Sequence, residues 1–344
     1  MRESALRLAL ISRLAGVRKR EHEPGPKVLL YHRVTNCTMD PQLLRVSPEN
    51  FEEHLRVLSE FRVVLSLAEV GRLVAAGTAT ANHVAVTFDD GYSDTLYHAK
   101  RALERYSVPA TVYVSTGNLD TADPFWWDEL AGLLFQPGSL PKKLTVTIGA
   151  DELSWDLGGG VPSDADPWWT WWNVVQQDDP SPVCGVYRDL CRVIKTASTA
   201  LRSSVLLQVR EALGRAPSLD PLCRSLSLDE LDELASSASV EIGSHGVSHM
   251  PLSALSVAAQ RGELEVSKKI LEQSVGRPVE TFSYPFGSRT DYDRHAVRLV
   301  RQTGYQNACA NFSSMFTRRS SVFEIPRFVV RDWDSEQFRQ WLDT

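Results

Sequence analysis

Val84-Ala85-Val86-Thr87-Phe88-Asp89-Asp90-Gly91-Tyr92 is the stretch that decides how this chain is read. Val84 to Phe88 have the apolar and β-branched character of a strand buried on both faces, as in parallel sheets. Two carboxylates and a glycine end it. A helical pattern follows at Leu96, Ala99, Leu103 and Tyr106, and then a second strand pattern from Pro109 to Ser115. Strand, helix and strand in succession predict a parallel α/β sheet, whose chemistry collects at the carboxyl ends of its strands. Asp89 and Asp90 fall at such an end.

Upstream, Pro24-Gly25-Pro26 breaks the chain before the apolar run Val28-Leu29-Leu30-Tyr31, which ends at His32. Ser47-Pro48-Glu49 and Ser66 open helices, Ser as cap, with apolar stripes at Phe51, Leu55 and Leu58 and at Leu67, Val70, Leu73 and Val74. Downstream, glycine and tryptophan become frequent, as in Leu157-Gly158-Gly159-Gly160 and Pro167-Trp168-Trp169-Thr170-Trp171-Trp172. Residues 121–221 read as an insertion. The alternation resumes with a capped helix at Ser227 and the strand Val240-Glu241-Ile242-Gly243-Ser244 running into His245. A helix over Ser253 to Val275, a strand Thr281 to Pro285, a helix near Ala296 to Thr303 and a strand plus helix from Ile325 complete it. The expected organisation is an N-terminal segment 1–26, a barrel-like α/β unit from 27–120 and 222–344, and the insertion.

With 344 residues, 43% hydrophobic and 23% charged, the chain can bury a large core. Its net charge of −6 argues against a general nucleic-acid binder, so no nucleic-acid partner is expected. Five scattered cysteines without a Cys-x-x-Cys pair suggest neither a disulfide framework nor a thiolate metal site. Near the start, Leu6, Leu10, Leu14 and Val17 recur at helical spacing among Arg7, Arg13, Arg18, Lys19 and Arg20. That pattern suits either a protein-docked helix or peripheral contact with an anionic membrane. No signal peptide is evident, and a cytoplasmic location, with that contact at the inner membrane face, is the expectation.

His245 and His249 stand four residues apart, a spacing that would put both imidazoles on one face of a helical turn. A carboxylate from Asp89-Asp90 would complete a site for a first-row divalent metal. Adjacent carboxylates at a buried strand end also need a cation, a proton or hydrogen bonds to offset their repulsion.

Thr87-Phe88-Asp89-Asp90-Gly91-Tyr92 and His245-Gly246-Val247-Ser248-His249 closely resemble the first two motifs of the NodB-homology polysaccharide deacetylases, the family-four carbohydrate esterases, and Tyr284-Pro285-Phe286-Gly287 resembles the third. The resemblance implies a distorted (β/α)7-type barrel and a carbohydrate substrate with N-acetylhexosamine units. It further implies a metal held by Asp90, His245 and His249, with Asp89 as general base and the Phe286 backbone N–H as oxyanion donor. Zinc is the default ion, and cobalt or nickel would fit the same ligands. The general-acid histidine usually found near the C-terminus is missing, the last histidine being His295. Val28-Leu29-Leu30-Tyr31-His32 resembles instead the permuted, exopolysaccharide-type branch, which makes His32 the acid.

Two departures stand out. Ser283-Tyr284 occupies the place of the arginine that braces the base, leaving Arg327 or Arg331 as substitutes, and Gly246 replaces a hydroxyl residue. Tyr92, Tyr284, Pro285, Trp126 and Trp127 are candidate sugar contacts. The Trp168 to Trp172 cluster could stack on sugars or form the core of a subdomain. The competing functions are an O-acetyl esterase or non-sugar amidase using the same metal chemistry, and a lapsed enzyme that only binds glycan.

Overall fold

The computed structural model describes residues 25–161 and 167–344. The basic N-terminal pattern, and with it the membrane-contact expectation, lies outside the described residues. Among the described residues no helix is long and apolar enough to cross a membrane.

Eight strands form one parallel sheet: β1 (Lys27–Tyr31), β2 (Val63–Val64), β3 (His83–Phe88), β4 (Ala110–Val114), β5 (Val240–Ser244), β6 (Thr281–Ser283), β7 (Asn307–Cys309) and β8 (Phe328–Val329). Their order is β7-β6-β5-β4-β3-β1-β8, with β2 beside β3. The segment leading into β8 meets both edges of this curled sheet, since Cys309 bridges Ile325 while Leu29 pairs with Phe328. The fold is therefore the distorted α/β barrel expected.

The β1 sequence KVLLY is buried throughout, as a strand covered on both faces must be. Helices α1 (Pro48–Phe61) and α2 (Leu67–Ala76) are capped by Ser47 and Ser66, whose hydroxyls accept from backbone N–H groups three residues on. Phe51 of α1 packs edge-on to both Tyr31 and Phe88, tying the helix to β1 and β3. Burying each such side chain contributes about 1.5–3 kcal/mol. The helix expected after Asp90 begins as a π-type turn, Thr95–Ala99, before its regular part from Lys100. Asp94, buried at the start of that turn, accepts from the Arg33 Nε at 2.9 Å and the Val34 N–H at 3.1 Å.

Residues 130–213 bury an apolar core of their own. Helices α3 (Trp126–Leu134), α4 (Pro182–Ile194) and α5 (Thr199–Leu213) enclose it with the antiparallel hairpin Lys143–Ile148 and Asp151–Asp156. Trp168 and Trp172 sit inside it, edge-on to Phe135. That part of the tryptophan cluster is subdomain core rather than a sugar platform, because its rings are enclosed by apolar neighbours. Back in the barrel, α6 (Leu228–Ala235) carries the expected capping box, and α7 (Val257–Val275) starts four residues later than expected, behind a short turn at Leu252–Ala254.

Candidate active site

The ends of β3, β5 and β6 supply the polar floor of a cavity of about 420 Å³. Asp90 (φ 74°), His249 (φ 49°) and Phe286 (φ 60°) all have left-handed backbone. Such conformations cost on the order of 1 kcal/mol or more each and gather where a side chain has to be aimed. Gly91 follows with φ 78°, and a Cβ there would lie 2.9 Å from Val114 Cγ1, so the chain turns under β4 only without a side chain.

One ligand atom each from Asp90, His245 and His249 lies within 4.8 Å of the others, all three residues buried. Asp90 Oδ1 is 3.5 Å from His245 Nε2 and 3.1 Å from His249 Nε2. Burial pushes the Asp90 carboxyl upward, but the two imidazoles outweigh it and hold its pKa well below the usual range. His245 Nδ1 is 2.7 Å from the Ser283 carbonyl, and an Nδ1–H donated there turns the Nε2 lone pair toward Asp90. His249 Nδ1 is buried and without a partner among the described residues. No arginine or lysine pairs with Asp90 among the described residues, so its charge is left to two imidazoles. Two nitrogens and one such carboxylate oxygen fit a divalent metal by donor type and by the charge they leave unbalanced.

The residues His245 to His249 are not the helical turn expected from their spacing. They form a loop in which Gly246 has φ 77°. Glu263, on α7, accepts from the N–H groups of Val247 (2.7 Å) and Ser248 (2.9 Å) and from the Ser248 hydroxyl (2.7 Å). A Cβ at Gly246 would stand 3.0 Å from Glu263 Oε2. The carboxylate thus holds the loop where a hydroxyl on residue 246 was expected to help. Nothing in the local sequence pointed to Glu263.

Arg327 settles on Asp89. Its two terminal nitrogens donate to Oδ1 at 2.7 Å and Oδ2 at 2.6 Å, and its remaining bonds go to Thr87 Oγ1, Ser283 Oγ and the Ala310 carbonyl. Both residues are buried. Burial raises the Asp89 pKa most, but the Arg327 charge and hydrogen bonds together with the His245 and His32 imidazoles outweigh it, and the net shift is downward. Ser283, standing where the bracing arginine was expected, also donates to Asp89 Oδ2 at 3.1 Å. Arg331 does not reach the base; it donates to the Leu43 carbonyl.

His32 lines the cavity at the end of β1, together with Asp89, Asp90, His245 and His249. Burial lowers its pKa more than the Asp90 and Asp89 charges raise it. Phe286 lines the cavity as well, and its N–H makes no backbone hydrogen bond among the described residues. Trp126 and Trp127 are in the lining, the Trp127 ring 4.9 Å from that of His249.

Three expected sugar contacts are absent from that lining. Tyr92 is fully buried, accepting from Trp127 Nε1 at 2.8 Å and donating to Asp128 Oδ2 at 2.6 Å, so it positions Trp127 instead of touching solvent. Tyr284 stacks on Tyr292 and donates to the Phe323 carbonyl, a core role. Pro285 is buried beside it. Their motif position was the only signal, and it could not separate a residue in the cavity from one behind it.

The remaining wall comes largely from α4, through Arg188, Cys191, Arg192 and Lys195, with Gln42, Asn311 and Arg331 across from the barrel. Apart from Arg331, named only as a candidate brace for Asp89, sequence reading missed these residues, since no motif marks them.

The polysaccharide deacetylase family matches residues 76–138 and 222–308, leaving out 139–221. The Bacillus subtilis (strain 168) protein YxkH, described as a polysaccharide deacetylase, is 25% identical over 105 residues, which are 30% of this chain and 36% of YxkH. The match thus spans about a third of that relative's length. Among solved structures, the Streptococcus pyogenes deacetylase PplD in complex with acetate covers 93% of this chain and 99% of its own at 16% identity and TM-score 0.56. IcaB from Ammonifex degensii covers 94% and 99% at 14% identity and TM-score 0.53. These two likenesses speak for the fold. The motif residues gathered at one cavity thus lie on or beside the two segments that match the polysaccharide deacetylase family, and the solved structures share the barrel that carries them.

Proposed function

We propose that this chain is a metal-dependent deacetylase that hydrolyses the acetamide of N-acetylhexosamine units in a surface or extracellular glycan or in its carrier-linked precursor. The observation that carries the reading is the division of labour between adjacent carboxylates. Asp89 is clamped by Arg327 and Ser283, while Asp90 faces His245 and His249. One is oriented as a base and the other as a ligand.

Asp90, His245 and His249 would hold the ion, with zinc, cobalt or nickel compatible with the donors. When bound, a divalent ion supplies Lewis acidity toward the attacking water and the acetyl carbonyl. Asp89 takes the proton of that water as its oxygen bonds to the carbonyl carbon. The Phe286 N–H, free of backbone acceptors, is offered to the oxygen that gains charge. His32 gives a proton to the sugar nitrogen as the C–N bond breaks, so that a neutral amine and acetate leave. Its lowered pKa makes it a stronger acid with a smaller protonated fraction. Its place at the end of β1 supports the permuted, exopolysaccharide-type branch.

The test measures acetate released from N-acetylglucosamine oligomers by protein stripped of metal and reloaded with zinc or cobalt, beside the Asp89→Asn and His32→Ala variants. Metal-dependent release that drops by roughly 10²–10⁴-fold in each variant is expected. Release from O-acetyl esters but never from N-acetyl sugars would overturn the reading in favour of an esterase.

A further inference from the structure

The chain carries a net charge of −6, yet the cavity wall is basic. Arg188 and Arg192 line it from α4 and Lys195 from the residue that caps its C-terminal end, spaced four and three residues apart and so on one face. Arg331 lines it from beyond β8. Their partners differ. Arg188 is held by both oxygens of Asp179 at 2.6 and 2.7 Å, and Lys195 by Asp291 at 2.6 Å. Arg192 has only the exposed pair with Asp189 three residues before it, a contact of little strength in water. Arg331 is half-buried and, among the described residues, makes no ion pair; its bond goes to the Leu43 carbonyl. The acidic group that influences it, Asp40, is itself engaged by the Leu44 and Arg45 N–H groups at 2.8 and 3.1 Å.

One loop joins these cations. Leu43 holds Arg331, while Gln42 beside it donates to Tyr187 Oη on α4 at 2.9 Å. A half-buried guanidinium without a counter-charge keeps several N–H donors for a ligand, and its planar fork matches a carboxylate or a phosphate. Neutral sugar hydroxyls would not offset its charge.

We propose that the sugar taken by this cavity carries an anionic group, a phosphate or a carboxylate, that seats against Arg331 and Arg192. The inference rests on the deacetylase reading for its sugar but not for its charge. The anion is recognised by the wall, while the acetamide lies at Asp89 and Asp90.

The experiment measures, by calorimetric titration of the full-length zinc-loaded protein, the Kd of N-acetylglucosamine, its 1-phosphate, and its disaccharide with glucuronate. At least one charged ligand should bind tenfold or more tighter than the neutral sugar, with the advantage shrinking as salt rises. Arg331→Gln and, on the exposed side, Arg192→Gln should each cut that advantage about threefold or more without moving the neutral Kd, and Arg331→Lys should restore part of it. Because phosphate can also reach the metal, the Arg variants are the decisive comparison. Which charged ligand gains names the source of the anion. Equal Kd values for all three ligands, or an advantage unmoved in both glutamine variants, would overturn the proposal. Acetate release, measured separately, tells its failure from that of the deacetylase reading.

Discussion

The floor and the wall of the cavity are built on opposite terms. On the floor Asp89 and Arg327 are buried with their polar groups bonded, and three residues hold left-handed backbone to aim side chains at one point. On the wall, α4 offers long cations whose ion pairs are partly exposed, and it rests on a separate core. A floor of this kind tolerates almost no change, because its charged groups are buried and depend on one another's bonds. A wall of this kind can vary its charges at small cost in stability, which suits the part of a site that selects a substrate.

The largest effect should come from breaking the floor at its ion pair. Arg327→Met leaves Asp89 charged, buried and short of donors, at a cost of about 3–5 kcal/mol. Urea unfolding should show a midpoint lowered accordingly, whereas Arg192→Gln on the wall should stay within about 0.5 kcal/mol of the parent. Equal shifts would dissolve the contrast.

Acid should also separate the two regions. His54 lies in the barrel between Tyr31 Oη and the Trp333 carbonyl, and burial takes its pKa down to about 4. The unfolded chain, with an ordinary histidine near 6.5, binds the proton first as pH falls. Stability present above pH 6.5 is therefore lost between about 6.5 and 4, by roughly 3 kcal/mol at 1.36 kcal/mol per unit. His54→Gln should flatten the slope of stability against pH in that window by up to one proton. An unchanged slope would mean that the site does not stay neutral in the folded barrel.

Glu263→Ala tests whether the floor depends on what stands behind it. Removing the acceptor of three bonds in the His245–His249 loop should weaken zinc binding about 10- to 100-fold in competition with a chelator. Gly246→Ser should not rescue it, since φ 77° disfavours any side chain there. An unaltered zinc affinity would show the loop to be held by the barrel alone.

How much of this was legible follows the same division. Asp89, Asp90 and the strand before them are one continuous run, so the parallel fold and the two carboxylates of the site could be read from nine residues. Arg327 and Arg331 could not be told apart, because they flank the short strand β8 on either side and only folding brings one to Asp89 and the other to the Leu43 carbonyl. The four-residue spacing of the histidines fits a loop as well as a helix, and left-handed backbone at His249 leaves no mark in sequence. Glu263 and the α4 cations belong to elements whose relation to the motifs exists only after folding. The tryptophans divided for a similar reason: Trp127 touches His249, while Trp168 and Trp172 close a core, and composition alone is blind to that difference.

The smallest effect tests the seam between floor and wall. Tyr187 on α4 is fully buried, accepts from Gln42 Nε2 at 2.9 Å and donates to the Trp127 carbonyl at 3.2 Å, so one hydroxyl joins α4, the loop below Arg331 and α3. Tyr187→Phe keeps the ring against Phe135 and removes only these two bonds, for a net cost of about 1 kcal/mol. If the wall selects and the floor reacts, the loss should appear as a KM for N-acetylglucosamine oligomers raised a few-fold, with kcat held within about twofold. A fall in kcat at constant KM would place Tyr187 with the reacting groups, through Trp127 and His249, and the boundary between wall and floor would have to be drawn through α3 instead of α4.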